Sequence, residues 1–330
     1  MSTQRMTFAK AINTGLRAAL ERDPKVLLMG EDIGALGGVF RVTDGLAKDF
    51  GTDRVVDTPL AESGIVGTAI GLALRGYRPV CEIQFDGFIF PAFDQITTQL
   101  SKMHYRSRGR LNLPVVIRVP FGGGIGAVEH HSESPEVLFA HTAGLRVVSP
   151  SDPQDAYTMI QQAVASPDPV VFFEPKGRYW EKGDVDTDAD PLAADSVLDG
   201  ARVLRPGTDV TLVAHGPTVA TALRVADAAA AEGRSVEVVD LRSISPLDIT
   251  TVAASVRRTG RCVVVHEAPV LYGTGAEVAA RVTEECFYHL EAPVLRVGGF
   301  HTPYPVAKLE HEYLPGLDRV LDAVDRVLAS

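Results

Sequence analysis

Cysteine and long apolar runs are both scarce in this chain. Its 330 residues include 3 cysteines, Cys81, Cys262 and Cys286, and neither a CxxC pair nor a cysteine–histidine spacing typical of a metal site occurs. Because this number is odd and the positions are far apart, we expect reduced, structural thiols. No stretch reaches the roughly 18 uninterrupted apolar residues of a membrane-spanning helix, so we expect no membrane partner.

Positive charge is also in short supply. Lysine and arginine total 32 against 42 acidic residues, which gives a formal net charge of -10 at pH 7. A nucleic-acid partner would require a basic face, and the basic residues form no run, so we expect no nucleic acid. The N-terminal residues show an amphipathic helical pattern with acidic side chains and no apolar signal-peptide core, which predicts a cytoplasmic protein.

Short apolar strands alternate with helical patterns, which is typical of parallel βαβ units covered by helices on both faces. In the first part we predict strands at Val26 to Gly30, Arg54 to Asp57, Pro79 to Ile83, Val115 to Val119, Val147 to Ser149 and Val170 to Phe173, with a helix near Pro91 to Arg106. In the second part we predict strands at Val210 to Ala214, Ser235 to Leu241, Arg261 to His266 and Val294 to Val297, and helices at Thr218 to Glu232, Leu247 to Arg258 and Gly275 to Phe287.

The two parts are separated by Trp180 to Gly200, a stretch that is acidic, poor in large apolar residues and broken by glycine and proline. We therefore predict an α/β protein with two three-layer domains. The larger, parallel-sheet domain covers residues 1–180, a linker covers 181–200, and a smaller domain covers 201–330. With 45% apolar residues, the chain is long enough to bury both cores.

One carboxylate stands out, Glu62 in the stretch Val55 to Gly76. A short β-branched strand ends there and a helix of small residues follows, with no other charge up to Leu74, so we expect this helix to be buried. The position places Glu62 at the carboxyl edge of a sheet, where open α/β proteins bind ligands. The spacing alone leaves two roles open for Glu62. It can simply cap the N-terminus of the helix, or it can act as a functional acid that is removed from water.

A glycine-rich loop, Phe121 to Gly126, follows another strand. It lacks the Lys-Ser/Thr and GxGxxG patterns of nucleotide loops, so we expect it to pass close to a different ligand and to deliver His130 and His131. A histidine pair in such a loop can be catalytic or ligand-binding. His141 shows no zinc-like spacing.

Aromatic residues Phe85, Phe88, Phe90 and Phe93 follow a third strand. They can pack in the core, but interleaved polar residues make part of the stripe a candidate pocket lining. His266-Glu267, at the end of a strand in the second domain, is interpreted as structural or as a subunit contact.

Long motifs also carry a family resemblance. The segments MGEDIGALGGVFRVTDGL, DTPLAESGIVGTAIGLAL, EIQFDGFIFPAFDQI, HHSESPEVLFAH, GLRVVSPSDPQDA, VDLRSISPLDI and EAPVLRVGGFHTPYP resemble the β subunit of the thiamin-diphosphate-dependent 2-oxoacid dehydrogenases. The resemblance runs from about Phe8 to the C-terminus. GGVFR, FIFPAFDQI and HSESPE favour the branched-chain type, with the pyruvate type as the alternative. The implied fold pairs a thiamin-pyrimidine-binding domain with a transketolase C-terminal-like domain.

The resemblance implies roles for individual residues. Glu62 corresponds to the glutamate that hydrogen-bonds a ring nitrogen of the cofactor's aminopyrimidine, and Phe88 to the aromatic residue that stacks on that ring, where branched-chain members carry tyrosine. Leu60 and Gln84 correspond to residues that line the same pocket. His131 matches the histidine that assists acyl transfer to the lipoyl group. His130 has no counterpart and serves as a negative control.

The resemblance also implies partners. The family's diphosphate and magnesium site rests on a GDG motif, which this chain lacks, so a partner α subunit would hold Mg²⁺ and the phosphates in an α₂β₂ tetramer. The second domain resembles the part that docks on a lipoyl acyltransferase core. Branched-chain members further bind K⁺ through main-chain carbonyls, at positions matching Leu113, Val115, Val116, Ala163, Ser166 and Asp168.

Two rival functions stay open. A noncatalytic assembly subunit could use this fold, although it would need neither Glu62 nor His131. A one-chain, transketolase-like enzyme would need a diphosphate-binding domain on this polypeptide.

Overall fold

A computed structural model describes residues 3–192 and 197–330. The strands are β1 (Thr3–Thr7), β2 (Val26–Gly30), β3 (Val55–Asp57), β4 (Arg78–Glu82), β5 (Val116–Phe121), β6 (Arg146–Val148), β7 (Val170–Pro175), β8 (Lys182–Asp186), β9 (Arg202–Arg205), β10 (Val210–Ala214), β11 (Val236–Asp240), β12 (Ser243–Ser245), β13 (Cys262–Pro269) and β14 (Leu295–Gly299).

The α-helices are α1 (Phe8–Arg22), α2 (Leu46–Phe50), α3 (Glu62–Leu74), α4 (Met103–Arg106), α5 (Glu136–Ala140), α6 (Pro153–Ala165), α7 (Val219–Ala231), α8 (Ile249–Thr259), α9 (Thr274–Cys286), α10 (Glu310–Tyr313) and α11 (Leu317–Leu328). Short 3-10 helices lie at Asp86–Ala92, Leu100–Lys102, Glu129–His131, Lys176–Arg178, Gly216–Thr218, Phe287–His289 and Ala307–Leu309, and a π-helical turn at Gln95–Gln99. Within the described residues, no helix is long and apolar enough to span a membrane.

The larger domain is built on a sheet of seven described strands in the order β12-β6-β7-β5-β4-β2-β3, all parallel except β12. Successive strand residues enter separate cores on the two faces. Leu28 and Val80 pack with α1 and α6, whereas Met29 and Cys81 pack with α3 and the segment after β4. This alternation follows from the two-residue period of a strand.

The smaller domain repeats the plan with five described strands in the order β14-β13-β10-β11-β9, of which only β9 runs antiparallel. Helices α7 and α11 cover one core, and α8 and α9 cover the other. Both domains are therefore three-layer α/β units, as predicted. The predicted strands differ from the observed ones by at most three residues at either end.

Two short strands make pairings that the sequence pattern does not predict, and one of them joins the two domains. β8 lies inside the predicted linker range and pairs antiparallel with β1 at the N-terminus. β12 belongs by sequence to the second part, yet it pairs antiparallel with β6 at the edge of the larger domain's sheet. The predicted helix over Pro91 to Arg106 is a series of short 3-10, π and α segments.

Candidate active site

Glu62 is the first residue of α3 and lies at the carboxyl edge of the larger sheet. The Thr58 N–H donates to the Gly30 carbonyl (2.9 Å), which ties the turn after β3 to the end of β2. The N-cap residue is Ala61, whose side chain cannot cap a helix. Glu62 itself is only 7% exposed, so a carboxylate is held at this edge largely away from water.

Helix α3 was predicted to be buried, and only one of its faces is. Ile65, Val66 and Ala69 pack in the core beneath the sheet edge. Gly64 and Leu74 lie on an exposed face that carries no charge. An uncharged, exposed helix face is typical of a surface that another protein covers.

Glu31, which sequence reasoning missed, lies beside Glu62. It follows β2 directly and is 7% exposed, and its carboxylate accepts a hydrogen bond from the Ala61 backbone. Burial raises the pKa of Glu31, and the nearby charges of Glu62 and Asp32 raise it further. Its Oε1 atom is buried without a protein partner among the described residues. The sequence feature that could have revealed Glu31 is an acidic residue placed immediately after a fully buried strand.

The other predicted cofactor-binding residues differ in their exposure and in their contacts near this pair of acids. Gln84, just after β4, directs its Nε2 toward the Glu31 carbonyl (3.4 Å) and the Asp32 carboxylate (3.3 Å). Phe88 lies one turn further on and is half-buried. Leu60 is 80% exposed, so it can line a pocket only if a ligand or another chain covers it.

His131 lies in an aromatic cluster with Phe85 and Phe88. Its ring stacks on Phe85 at 3.9 Å between centroids and meets Phe88 edge-on at 5.2 Å. Its Nδ1 lies 2.8 Å from the His130 carbonyl, which can only accept, so Nδ1 carries the proton. Nε2 is then the basic nitrogen of the neutral ring. His130 is exposed and contacts the same cluster.

A buried ion pair anchors the histidine loop. Asp86 accepts from the Lys176 ammonium (2.9 Å) and from the Glu133 backbone N–H (2.8 Å), and both charged side chains are fully buried. Burial raises the pKa of Asp86 and lowers that of Lys176, while their mutual attraction opposes both shifts. Gly87 lets the loop pass closely, since a Cβ there would lie 2.5 Å from the His130 carbonyl oxygen. Sequence reasoning missed Lys176, which lies 90 residues from Asp86.

Further buried titratable groups lie where the domains meet. Glu267 Oε2 accepts from the Gly123 N–H (2.9 Å) in the glycine-rich loop, and burial raises its pKa to about 7. Glu136 Oε1 lies 3.7 Å from His215 Nε2, but burial raises the pKa of Glu136 to about 8 and lowers that of His215 to about 3. This pair is therefore mostly uncharged near pH 7. His266-Glu267 thus contacts the other domain of its own chain.

Most of the carbonyl oxygens predicted to bind K⁺ accept a hydrogen bond within the chain. Three of the carbonyls accept from nearby groups in the same loop or strand: Leu113 from the Val115 N–H, Ala163 from the Ser166 N–H and Asp168 from the Ser166 hydroxyl. The Val115 carbonyl accepts from the Val170 N–H, next to the ladder that holds Val116. Ser166 O accepts from the guanidinium of Arg78 at 3.2 Å.

A carbonyl oxygen that accepts one hydrogen bond keeps a second lone pair, so these contacts leave the K⁺ site a prediction. Among the described residues, no group of three or more histidine, cysteine or acidic side chains could hold a metal ion, and His141 joins no such group.

The residues around Glu62 do fit the pyrimidine half of thiamin diphosphate. Two adjacent, mostly buried carboxylates lie at this edge, and helix α3 packs against the segment that carries the half-buried Phe88. One carboxylate oxygen lacks a partner in the described part of the chain. Carboxylate oxygens can accept from the amino group of a flat heterocycle, and a carboxyl can hydrogen-bond its ring nitrogen when one of those two groups carries a proton.

Comparisons with known proteins agree with this geometry. Residues 4–181 match the family model "Transketolase, pyrimidine binding domain", and residues 199–320 match "Transketolase, C-terminal domain". A solved structure titled "Split gene transketolase, inactive beta4 tetramer" superposes with a TM-score of 0.78 at 25% identity, covering 98% of each chain.

Curated relatives match over nearly the whole chain. The pyruvate dehydrogenase E1 component subunit beta of Leifsonia xyli is 64% identical, covering 99% of this chain and 96% of the relative. The 3-methyl-2-oxobutanoate dehydrogenase subunit beta of Mycobacterium tuberculosis is 56% identical, covering 99% and 93%. This chain therefore belongs to the family of β subunits of the 2-oxoacid dehydrogenase E1 components.

Proposed function

We propose that this chain, together with a partner α subunit, decarboxylates a branched-chain 2-oxoacid and passes the acyl group to a lipoyl group of an acyltransferase core. The observation that carries the proposal is Glu62, a 7% exposed carboxylate at the carboxyl edge of the sheet, on a helix that packs against the segment carrying Phe88. Thiamin diphosphate, when bound, supplies the electron sink for loss of carbon dioxide.

The chain's own residues supply binding and proton control. Glu62 holds a ring nitrogen of the aminopyrimidine by a hydrogen bond, which is strengthened because the carboxylate is largely removed from water. Phe88 stacks on the heterocycle, and Leu60 and Gln84 line the same pocket. His131 presents Nε2 as acceptor or donor toward the lipoyl group during acyl transfer, while Nδ1 keeps its proton and donates a hydrogen bond to the His130 carbonyl.

An α subunit is proposed because the sequence lacks the GDG motif on which the family's Mg²⁺ and diphosphate site rests. No metal-binding group of acids and histidines occurs within residues 3–192 and 197–330. The 80% exposed Leu60 and the uncharged face of α3 support a protein neighbour at this edge. We propose an α₂β₂ assembly in the cytoplasm, in which K⁺ bound through main-chain carbonyls stays a prediction.

Pyruvate is the second candidate substrate, favoured by the name of the 64% identical relative from Leifsonia xyli. The branched-chain candidate is supported by the GGVFR, FIFPAFDQI and HSESPE segments and by the relative from Mycobacterium tuberculosis. An apolar pocket usually discriminates by about 1–3 kcal/mol per methylene. Specificity constants for 3-methyl-2-oxobutanoate and pyruvate on the reconstituted tetramer should therefore differ at least tenfold, and a higher value for pyruvate would reverse the assignment.

The main test replaces Glu62 by glutamine in the reconstituted assembly. Decarboxylation, followed with an artificial electron acceptor, should fall by about 10²–10⁴-fold, because proton transfer through the aminopyrimidine loses its acid–base partner. Ser63→Ala, on the exposed face of the same helix, is the matched control and should retain activity. Size-exclusion chromatography must show intact assembly for both. Near-normal turnover of Glu62→Gln would favour the rival noncatalytic assembly subunit.

A second experiment tests the shared site. Calorimetry on this chain alone should show weak binding of thiamin diphosphate, and binding should become tight after the α subunit is added. Tight binding by the isolated chain would contradict a site divided between subunits and would favour a one-chain enzyme.

A further inference from the structure

The glycine-rich loop follows β5 and leads into the 3-10 helix Glu129–His131. Gly122, Gly124 and Gly126 have φ of 79°, 92° and 68°, a left-handed backbone that favours glycine. The Gly122 N–H donates to the Glu133 carbonyl (3.0 Å), which brings the two ends of the segment together. The loop and the histidine that follows it are therefore parts of one closed segment.

Two carboxylates of the smaller domain accept backbone N–H groups of this loop. Glu267 Oε2 accepts from Gly123 (2.9 Å). Glu310, the first residue of α10, accepts from Gly124 through Oε1 (2.9 Å) and from Gly126 through Oε2 (3.2 Å). The three N–H groups lie outside helices and strands, so the carboxylates take the place of a backbone partner. A charged acceptor makes such bonds stronger than a neutral one would.

The smaller domain also fixes the Glu310 carboxylate on its own side. The Tyr304 hydroxyl donates to Glu310 Oε1 (2.8 Å), and Tyr304 is 8% exposed. Its ring meets that of Tyr313 edge-on at 4.9 Å between centroids. A Cβ at Gly123 would overlap the Tyr304 hydroxyl, so glycine is needed for the loop to approach this group. The carboxylate is thus oriented by its own domain and meets a loop shaped to receive it.

His131 lies between two anchors of the same segment. The larger domain holds the chain after it, where Asp86 accepts from the Glu133 N–H (2.8 Å). The smaller domain holds the chain before it through Glu310. Lys176 lies near both anchors: it pairs with Asp86 (2.9 Å), and the charges of Asp86 and Glu310 oppose the lowering of its pKa by burial. The place of the imidazole therefore depends on both anchors.

We infer that Glu310 is a positioning residue for acyl transfer, which fixes the path of the glycine-rich loop and thereby the place of the His131 imidazole. The inference rests on the proposed function, in which His131 assists acylation of the lipoyl group. Glu310 acts only through the loop, so it affects this step and leaves decarboxylation, which depends on Glu62, unchanged. A misplacement of about 1 Å can cost about 10²-fold in rate.

The test uses Glu310→Gln in the reconstituted assembly. The amide keeps the size of the side chain but offers one acceptor oxygen in place of two, so the N–H of Gly124 or Gly126 loses its acceptor. The kcat for acylation of a lipoyl domain should fall by about 10- to 100-fold. The KM for the lipoyl domain, and the rate with an artificial electron acceptor, should stay within about twofold. Glu312→Gln is the matched control, because Glu312 lies in the same short helix with its side chain 73% exposed, and it should acylate like the wild type.

Two further measurements separate positioning from a general weakening of the fold. Glu310→Asp keeps both carboxylate oxygens and should acylate faster than Glu310→Gln, and no recovery would contradict the role of the carboxylate. In Glu310→Gln the amides of the glycine-rich loop should exchange hydrogen faster, whereas those of β5 should exchange as in the wild type. Unchanged exchange in the loop would contradict an effect on its path.

The inference fails if Glu310→Gln acylates at the wild-type rate. It also fails if Glu310→Gln loses decarboxylation to the same extent as acylation, because that result would indicate a general structural role. His131→Ala in the same assays separates this inference from the proposed function. If only His131→Ala is slow in acylation, the inference alone is wrong, and if neither variant is slow, the role of His131 is wrong as well.

Discussion

The sharpest prediction concerns the buried ion pair beneath the histidine loop. Lys176 and Asp86 are fully buried, with 2.9 Å between Nζ and Oδ1. Replacing Lys176 by methionine leaves the Asp86 carboxylate without its countercharge in the interior. Breaking such a pair from one side usually costs about 3–5 kcal/mol. We therefore expect Lys176→Met to lose about that much free energy of unfolding near pH 7.5.

The loss should depend on pH. Burial already raises the pKa of Asp86, and without Lys176 nothing of comparable strength opposes that rise. A carboxyl whose folded-state pKa exceeds its unfolded value loses stability as pH rises between the two values. The deficit of Lys176→Met should therefore shrink as the pH falls, because protonation of Asp86 removes the uncompensated charge, and grow as the pH rises.

The assay is urea unfolding followed by circular dichroism at pH 5, 6.5 and 8. The double variant Lys176→Met/Asp86→Asn is the informative control, because asparagine keeps an acceptor for the Glu133 N–H without carrying charge. It should be more stable than Lys176→Met at pH 8. A single variant within about 0.5 kcal/mol of the wild type, or a double variant less stable than the single, would refute the reasoning.

Three other predictions follow from groups described above. His131→Ala should reduce acylation of a lipoyl domain by more than it reduces decarboxylation measured with an artificial electron acceptor, whereas His130→Ala should alter neither rate. Equal losses of both rates in His131→Ala would contradict the role of His131 in acyl transfer. Glu136→Gln should become more stable relative to the wild type by about 1.4 kcal/mol per pH unit between pH 5.5 and 7.5 in urea unfolding, because the wild-type carboxyl has its pKa raised to about 8 and destabilises the fold as pH rises through that window. A stability difference that does not change with pH would exclude this effect. Arg202→Ala should lower the free energy of unfolding by about 2–3 kcal/mol in the same assay, because this 30% exposed arginine joins Asp152 (2.7 Å) to the buried Asp155 (2.8 Å). A loss below about 0.5 kcal/mol would show that Arg242, which also lies near Asp155, compensates.

Much of the fold follows from local pattern. Buried parallel strands are short runs of Val, Ile and Leu, so β2 and β10 could be located to the residue. β12 could not, because Ser243–Ser245 has no apolar run, and its pairing depends on a strand about a hundred residues earlier. β8 was hidden for a similar reason, since its acidic sequence is typical of a linker.

Some residues of the candidate site could likewise be predicted from local sequence, and others could not. Glu62 and His131 lie in local contexts, a strand end and a glycine-flanked loop, that predict exposure to a ligand. Lys176 and Glu310 act through partners that are distant in sequence, so no local pattern could reveal them. Glu31 had a local signal, an acid directly after a buried strand, but its closeness to Glu62 depends on β2 and β3 being neighbours.

The pairing of β12 with β6 has a practical consequence for dissecting this protein. A fragment ending near residue 200 would expose the backbone amides and carbonyls of β6 along an unprotected border. Such open borders recruit strands from other molecules, so this fragment should precipitate or dimerise on purification. A cut after Ser245 would in turn remove β13 and β14 from the smaller domain's sheet, so the two halves should be expressed together as the full chain.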